Sequence, residues 1–239
     1  MSKESTRAEP SPATILREPT ATAPTRRHFL QLAGVTLSIA AIGCDNDDNT
    51  TGPGNGAVDL GAGDTGILNY AYALEQLEAS FYTQVIASPY SGITAEETAI
   101  LRDIRDHEIV HREFFKAALG TAAIGTLMFT FSAVNFGSRA SVLGTAKVFE
   151  DLGVGAYNGA GQLLTDGNLL LIAGKIVSVE ARHASTIRDL LNPNSSDFAG
   201  DDIIAVSTGL DSAQSPSAVL GAAGSFVIGS INFSSLPTS

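Results

Sequence analysis

The chain of 239 residues has one cysteine, no tryptophan and only 14 basic residues against 25 acidic ones. A single cysteine excludes an intramolecular disulfide bond. The formal net charge of −11 argues against a nucleic-acid partner, because phosphate binding needs clustered positive charge. No apolar run reaches the length that a permanent transmembrane helix requires. The hydrophobic fraction of 44 % is nevertheless sufficient for one sizeable globular core.

The first 43 residues are typical of a twin-arginine signal peptide. Arg26 and Arg27 precede an apolar segment, residues 32–43, that is too short to span a bilayer. This segment ends in the letters AIGC, which resemble a lipobox, so we expect cleavage before Cys44 and acylation of its thiol. The protein is then exported and becomes a periplasmic or cell-surface lipoprotein, anchored to the membrane through Cys44. A chance arginine pair before a buried helix would instead leave Cys44 an inert thiol.

Residues 44–63 follow as the lipidated cysteine and a tether. The segment is rich in aspartate and glycine and has almost no apolar residues, so we expect a flexible chain that holds the folded part off the membrane.

From residue 64 the apolar residues recur with a period of 3.6, which indicates helices. A first helix of about 24 residues is predicted to begin at Asp64 as its N-cap and to end before Pro89. The second runs from Thr94 to Gly120, because Thr94 and Glu97 have the spacing of a capping box. These two helices form a hairpin.

A second predicted hairpin follows after a long connection, residues 121–137. Its helices span residues 138–164 and, after Asp166, the stretch up to Leu191. A connection of this length fits a bundle only if it crosses the bundle lengthwise.

The predicted fold class is therefore all-α: a four-helix bundle over residues 64–191, with one long crossover between helices 2 and 3. Residues 192–239 form a C-terminal extension rich in glycine, serine and aspartate, with a short fifth helix at 215–228.

The apolar helix faces are interrupted almost only by carboxylates and histidines. Helices 2 and 4 each carry a Glu-x-x-His motif, whose two side chains lie on one helix face and can bind a common ion. Helices 1 and 3 each add one glutamate. The candidate metal ligands are Glu75 (with Glu78 as an additional candidate), Glu108, His111, Glu150, Glu180 and His183.

The two hairpins repeat one another. Glu75 is followed seven residues later by Tyr82, and Glu150 is followed seven residues later by Tyr157. This repeat favours Glu75 over Glu78 as the ligand of helix 1. The two tyrosines are either hydrogen-bond partners of the ligands or simple core aromatics.

Four carboxylates inside a bundle need a counter-charge, because burying each ionised carboxylate costs several kcal/mol. Two divalent ions supply that charge. Oxygen-rich ligation with one imidazole per ion suits iron or manganese better than tetrahedral zinc, so the predicted cofactors are two iron or manganese ions.

His107 is expected to lie at the boundary of the core. Glycines of helix 3, among them Gly153 and Gly159, indicate close helix contact or space for a small ligand.

The sequence resembles the bacterial ferritin-like domain family, whose members include desiccation-related proteins. The resemblance covers residues 64–191 and is carried by four blocks: LEQLEASFY, DHEIVHREFF, FEDLGVGAYNGA and VEARHASTIRDLL. It implies a ferritin-like bundle and says less about function.

Two functions are compatible with this resemblance. One is oxidoreductase chemistry with dioxygen or peroxide, in which a small oxidant or a metal ion is the substrate. The other is a non-enzymatic envelope stress protein with a structural metal site. A homodimer is compatible with both, and a cage-type iron store is the weaker third reading.

Overall fold

The computed structural model describes residues 56–238. The predicted twin-arginine signal and Cys44 lie outside the described residues.

In the described part of the chain, four long helices form two hairpins that pack into one bundle, which confirms the predicted all-α class. The hairpins meet along α1 and α3 more closely than along α2 and α4. None of the helices in the described part of the chain is long and apolar enough to cross a bilayer. The four helices are α1 (Gly63–Ala87), α2 (Ala95–Leu119), α3 (Arg139–Gly161) and α4 (Gly167–Leu191).

The predicted N-cap of the first helix is wrong. Ala62 occupies that position and offers no side-chain cap. Asp64 lies in the first turn instead, where its carboxylate accepts hydrogen bonds from the backbone N–H groups of Thr165 and Asp166. These bonds tie the start of α1 to the loop between α3 and α4, and they lower the pKa of Asp64 although burial opposes the shift.

The other helix ends follow the sequence more closely. Thr94 and Glu97 form both bonds of the predicted capping box, and Asp166 caps α4. The third helix ends at Gly161, three residues before the predicted Leu164.

The long connection runs along α1, which confirms the lengthwise crossover. Its beginning is held by Asn69, whose Oδ1 accepts the N–H of Ile124 at 2.9 Å. Two turns further along α1, Gln76 accepts the N–H of Leu127 at 2.8 Å. Phe131 then packs edge-on against Phe81. The connection therefore passes from the end of α2 to the start of α3 on the opposite end of the bundle.

Within residues 56–238, six two-residue strands form three pairs. In chain order they are β1 (Val58–Asp59), β2 (Met128–Phe129), β3 (Ile204–Ala205), β4 (Leu210–Asp211), β5 (Val227–Ile228) and β6 (Ile231–Asn232). The pair β1 and β6 is parallel, whereas β2 pairs with β5 and β3 with β4 in antiparallel fashion. The second pair joins the crossover to the C-terminal extension.

The end of the predicted flexible tether is ordered. Strand β1 lies within that tether, and Leu60 is fully buried. The prediction of a flexible chain is wrong for these residues. It relied on the glycines and aspartates and overlooked the buried side chain of Leu60 and the pairing of β1 with a strand 173 residues further along the chain.

The C-terminal extension packs on α3. Its helix α5 (Pro216–Ala223) is capped by Ser215 and ends five residues before the predicted position 228, because Val227 and Ile228 pair with the crossover strand. The side chains of Val219 and Leu220 enter the core.

Two glycines of α3 permit this packing. The backbone N–H of Gln214 donates to the carbonyl of Gly155 at 2.8 Å. A Cβ on Gly159 would overlap the carbonyl oxygen of Gln214. Close chain contact therefore explains Gly155 and Gly159, although the partner is the C-terminal extension and not another long helix.

Candidate metal centre

The structure brings six predicted ligands together in the middle of the bundle. Each of the four long helices contributes at least one, and the two Glu-x-x-His motifs face one another from α2 and α4 because positions i and i+3 share a helix face. The four glutamates have no exposed surface, and His183 is 4 % exposed. The six residues are Glu75, Glu108, His111, Glu150, Glu180 and His183.

These residues form two overlapping groups in which the candidate ligand atoms lie within 4.8 Å of one another. We name the groups after the glutamate that each holds alone. The Glu75 position consists of Glu75, Glu108, His111 and Glu180. The Glu150 position consists of Glu108, Glu150, Glu180 and His183. Glu108 and Glu180 belong to both, as carboxylates that bridge two cations would.

The nitrogen atoms that face the carboxylates are Nδ1 in both histidines. His111 Nδ1 lies 2.9 Å from Glu180 Oε1 and 3.5 Å from Glu75 Oε2. His183 Nδ1 lies 2.7 Å from Glu108 Oε1 and 3.5 Å from Glu150 Oε2. The shortest of these separations have the length of hydrogen bonds, yet the angles at the atoms do not form one.

Eight buried atoms of this cluster have no hydrogen-bond partner among the described residues. Buried polar atoms are almost always hydrogen-bonded, so such a concentration needs an explanation. If Glu108 and Glu180 each give one oxygen to each position, the eight atoms provide four candidate metal-ligand atoms per position. They are Glu75 Oε2, both carboxylate oxygens of Glu108 and Glu180, Glu150 Oε2, and Nδ1 of His111 and His183.

The remaining oxygens of the two unshared glutamates are engaged by tyrosines of the opposite hairpin. The hydroxyl of Tyr157 donates to Glu75 Oε1, and the hydroxyl of Tyr82 donates to Glu150 Oε1. Each of these carboxylates therefore has one oxygen fixed by the protein and one left for a cation. Both tyrosines are buried, so each also packs in the core.

Burial and the charges of neighbouring side chains shift the pKa values of the cluster in opposite directions for some of its members. Burial raises the pKa of Glu75, Glu108 and Glu150. Burial also opposes ionisation of Glu180, but the two histidines outweigh it and lower the pKa of that carboxyl to about 2. The neighbouring carboxylates raise the pKa of His183 to about 12 against the effect of burial. The cluster thus requires positive charge, which protons supply when metal does not.

Glu78, the additional candidate, lies beside the cluster and outside both groups. It is 4 % exposed, and burial followed by repulsion from Glu108 raises its pKa well above the ordinary value. A Cβ built on Gly153 would lie 3.1 Å from Glu78 Oε1. Gly153 occupies in α3 the place that Glu78 occupies in α1, three residues after the unshared glutamate. The glycine therefore makes room for this carboxyl group.

His107 is exposed, although we expected it at the boundary of the core, and its ring contacts the candidate ligand His183. Its Nδ1 lies 2.9 Å from His183 Nε2. The sequence places His107 on the same side of α2 as His111, because it precedes His111 by one helical turn, but it does not indicate the contact with His183.

A cavity of about 410 Å³ between α2 and α4 is open to solvent and is lined by both candidate ligand histidines, although by none of the four glutamates. Its walls are largely apolar, and three histidines lie along it. Charged groups that line it are Asp103 and Arg182. The imidazoles of both ligand positions are therefore reached from one groove. The full lining is Ile100, Asp103, Ile104, His107, Val110, His111, Val179, Arg182, His183 and Thr186.

Comparison with known proteins agrees with this architecture. A family model described as ferritin-like domain matches residues 63–193. No curated protein sequence matches the chain. The match covers more than half of the chain, including all four long helices and all six candidate ligands, and the chain belongs to the ferritin-like domain family.

Proposed function

We propose that the protein holds two iron or manganese ions and that these ions react with dioxygen or a peroxide. The observation that carries the proposal is the pair of positions that share Glu108 and Glu180, with eight buried donor atoms that lack any other partner among the described residues. Carboxylate bridges and one imidazole per position suit iron and manganese.

Each hairpin would hold one ion through its own terminal ligands. Glu75 and His111 come from the first hairpin, and Glu150 and His183 from the second. Two divalent ions balance the four carboxylates. Neither lysine nor arginine forms an ion pair with these four carboxylates in the described part of the chain. Two adjacent ions, when bound, supply the electrons for reduction of an O–O bond.

The groove favours a reactive centre over a purely structural one. Structural metal sites are closed by protein ligands, whereas catalytic sites keep an accessible position. Here the cavity between α2 and α4 gives a small oxidant or a metal ion a path to His111 and His183. The apolar walls limit the number of water molecules beside the ions.

We propose in addition that the chain is exported by the twin-arginine route and anchored through an acylated Cys44. This route carries folded proteins, so metal can be inserted before export. Cell fractionation of the wild type and of Cys44→Ser tests the anchor: the wild type should sediment with membranes and the variant should not. Retention of the variant in membranes would contradict the lipid anchor.

Homodimer formation stays a prediction that size-exclusion chromatography with light scattering can check.

Elemental analysis of the purified chain, followed by assays of peroxide decomposition and Fe(II) oxidation, tests the central proposal. We expect two iron or manganese ions per chain and measurable turnover. Glu108→Ala should lose both ions and the activity, because Glu108 serves both positions. Glu113→Ala is the matched control, since Glu113 lies on the same helix and is exposed. Two bound ions without turnover would support the structural alternative, and a metal-free protein under metal-replete conditions would overturn the proposal.

A further inference from the structure

The two hairpins differ at one pair of equivalent positions next to the candidate ligand histidines, where one hairpin has a polar side chain and the other an apolar one. His107 stands four residues before His111 on α2, and Val179 stands four residues before His183 on α4. These are equivalent positions of the two Glu-x-x-His helices. Both residues line the groove between α2 and α4. An imidazole therefore occupies one of two related places, and an aliphatic side chain occupies the other.

His107 contacts the ligand histidine of the opposite helix. Its Nδ1 lies 2.9 Å from Nε2 of His183, and the two ring planes are inclined by only 10° with centroids 5.1 Å apart. Nearly parallel rings whose nitrogens are this close meet edge to edge. This arrangement is the one that an N–H···N hydrogen bond between two imidazoles requires.

The direction of this bond follows from the other side of the His183 ring. Its Nδ1 faces Glu108 and Glu150, so a cation at the Glu150 position takes the lone pair of Nδ1. The proton of the neutral ring then resides on Nε2. Nε2–H donates to Nδ1 of His107, whose own proton lies on its other nitrogen.

His111 has no corresponding support. Its Nδ1 faces the Glu75 position in the same way. Across the residues from 56 to 238, no group forms a hydrogen bond with its Nε2, and Val179, at the place equivalent to His107, cannot provide one. His111 and His183 thus present Nδ1 to the carboxylates in the same way, but only His183 has a hydrogen-bond partner for Nε2 among the described residues.

We propose that His107 is a positioning residue that makes the two metal positions unequal: it orients His183 so that the Glu150 position binds its ion more tightly and fills first. An acceptor on the far nitrogen fixes the tautomer and orientation of a ligand imidazole and raises its basicity, and losing such a partner typically weakens metal binding about 10–100-fold. The inference rests on the proposed dinuclear centre, and it adds an order of filling that the shared ligand set alone does not contain.

Titration of the metal-free full chain with Mn²⁺ in a calorimeter tests this order. The wild type should show two steps with distinct dissociation constants. His107→Val, which copies Val179, should raise the dissociation constant of the tighter step about 10–100-fold and leave the weaker step unchanged. His107→Gln retains an acceptor and should restore part of the affinity. Val110→Ala, an exposed change in the same groove, serves as the control.

Single-position variants identify which step is affected. With His111→Ala, His107→Val should still weaken the remaining tight step. With His183→Ala, it should have no effect, because its partner is gone. The converse variant Val179→His should strengthen the Glu75 position.

Three results would overturn the inference. Two identical steps in the wild type, or unchanged affinities in His107→Val, would contradict it while leaving the dinuclear centre in place. A wild type that binds no Mn²⁺ would remove the centre and the inference together. Circular dichroism of the metal-free variants separates these outcomes from loss of folding.

Discussion

The hydroxyl of Tyr157, on α3, donates a hydrogen bond to Oε1 of Glu75, on α1. The equivalent residues of the repeat, Tyr82 and Glu150, form the same bond in the reverse direction between the helices. Each hairpin therefore supplies an unshared glutamate and the tyrosine that fixes the glutamate of the other hairpin. The geometry of each candidate metal position therefore depends on the packing of both hairpins against one another.

Tyr157→Phe should weaken metal binding at the Glu75 position without unfolding the bundle. The ring still fills its place in the core, but Glu75 loses the bond that orients its free oxygen. Loss of such a partner is expected to raise the dissociation constant by about 10-fold or more. Mn²⁺ titration measures the change. Tyr70→Phe is the control, because the buried Tyr70 hydroxyl has no hydrogen-bond partner among the described residues. An unchanged affinity in Tyr157→Phe would show that the tyrosine only packs.

Metal removal should lower the stability of the folded chain. The buried carboxylates lose the cations that balance their charge, and a ligand that binds only the folded state stabilises it by mass action. At a concentration of about 100 times the dissociation constant, one bound ion contributes about 2.7 kcal/mol. For a domain of this size, that corresponds to an increase in Tm of about 5–10 °C. Thermal unfolding with a chelator and then with excess Mn²⁺ checks this, and identical curves would argue against a buried cation site.

The helices and the candidate ligands could be predicted from the sequence because both depend on short periodicities. The spacing of Thr94 and Glu97 predicted the start of α2. The two Glu-x-x-His motifs could be recognised because residues i and i+3 of a helix lie on the same face. The repeat of Glu75 with Tyr82 selected Glu75 over Glu78, and the structure places Glu75 in the cluster and Glu78 beside it.

Features that depend on contacts distant in sequence were not accessible in this way. The partner of Gly159 is Gln214, and the partner of β1 is a strand near the end of the chain. The hydrogen bond between His107 and His183 joins different hairpins, so only the relative rotation of α2 and α4 decides whether it forms. No local pattern in a single sequence encodes that rotation.

Gly159→Ala should detach the C-terminal extension from α3. The added methyl group would occupy the space of the Gln214 carbonyl, which belongs to the backbone and cannot rotate away. We expect a loss of about 2–3 kcal/mol, the size of an overpacking defect, despite the better helix propensity of alanine. Gly144→Ala on the same helix has nothing within 4 Å of the added carbon and should stabilise by about 0.5–1 kcal/mol. Urea denaturation measures both. Equal effects would contradict the close contact.

Asp202→Asn should reduce stability at neutral pH and lose its effect in acid. Arg188, followed by Lys147, holds the pKa of Asp202 at about 2, while Asp151 is the other partner of Arg188. Because the folded-state pKa is below that of the unfolded chain, the ionised carboxylate contributes stability at neutral pH. That contribution declines as pH falls from about 4 to about 2. We expect a difference of at most about 1 kcal/mol, since Asp202 is largely exposed. Urea denaturation at pH 7 and pH 3 tests the sign, and a constant difference would contradict the assignment.

Glu78 and Gly153 should be energetically coupled across the centre. In the wild type, Gly153→Ala places a carbon 3.1 Å from Glu78 Oε1, so the clash offsets the gain in helix propensity. After Glu78→Ala the obstacle is gone, and the same substitution should stabilise by about 1 kcal/mol. A double-mutant cycle in metal-free protein should give a coupling of at least about 0.5 kcal/mol. Gly144→Ala, measured in both backgrounds, should show no such coupling.

Metal content distinguishes a neighbour of the centre from a ligand in these same variants. Glu78 belongs to neither group of converging donor atoms, so Glu78→Ala should retain as many ions as the wild type. Loss of an ion would mean that Glu78 turns toward the metals when they are bound. In that event Gly153 provides the space in which the carboxylate moves, and Gly153→Ala should lower metal affinity as well. If the ions are retained and the coupling is positive, Gly153 only makes space for packing. Glu78 is then a buried carboxyl group beside the centre that does not bind the ions.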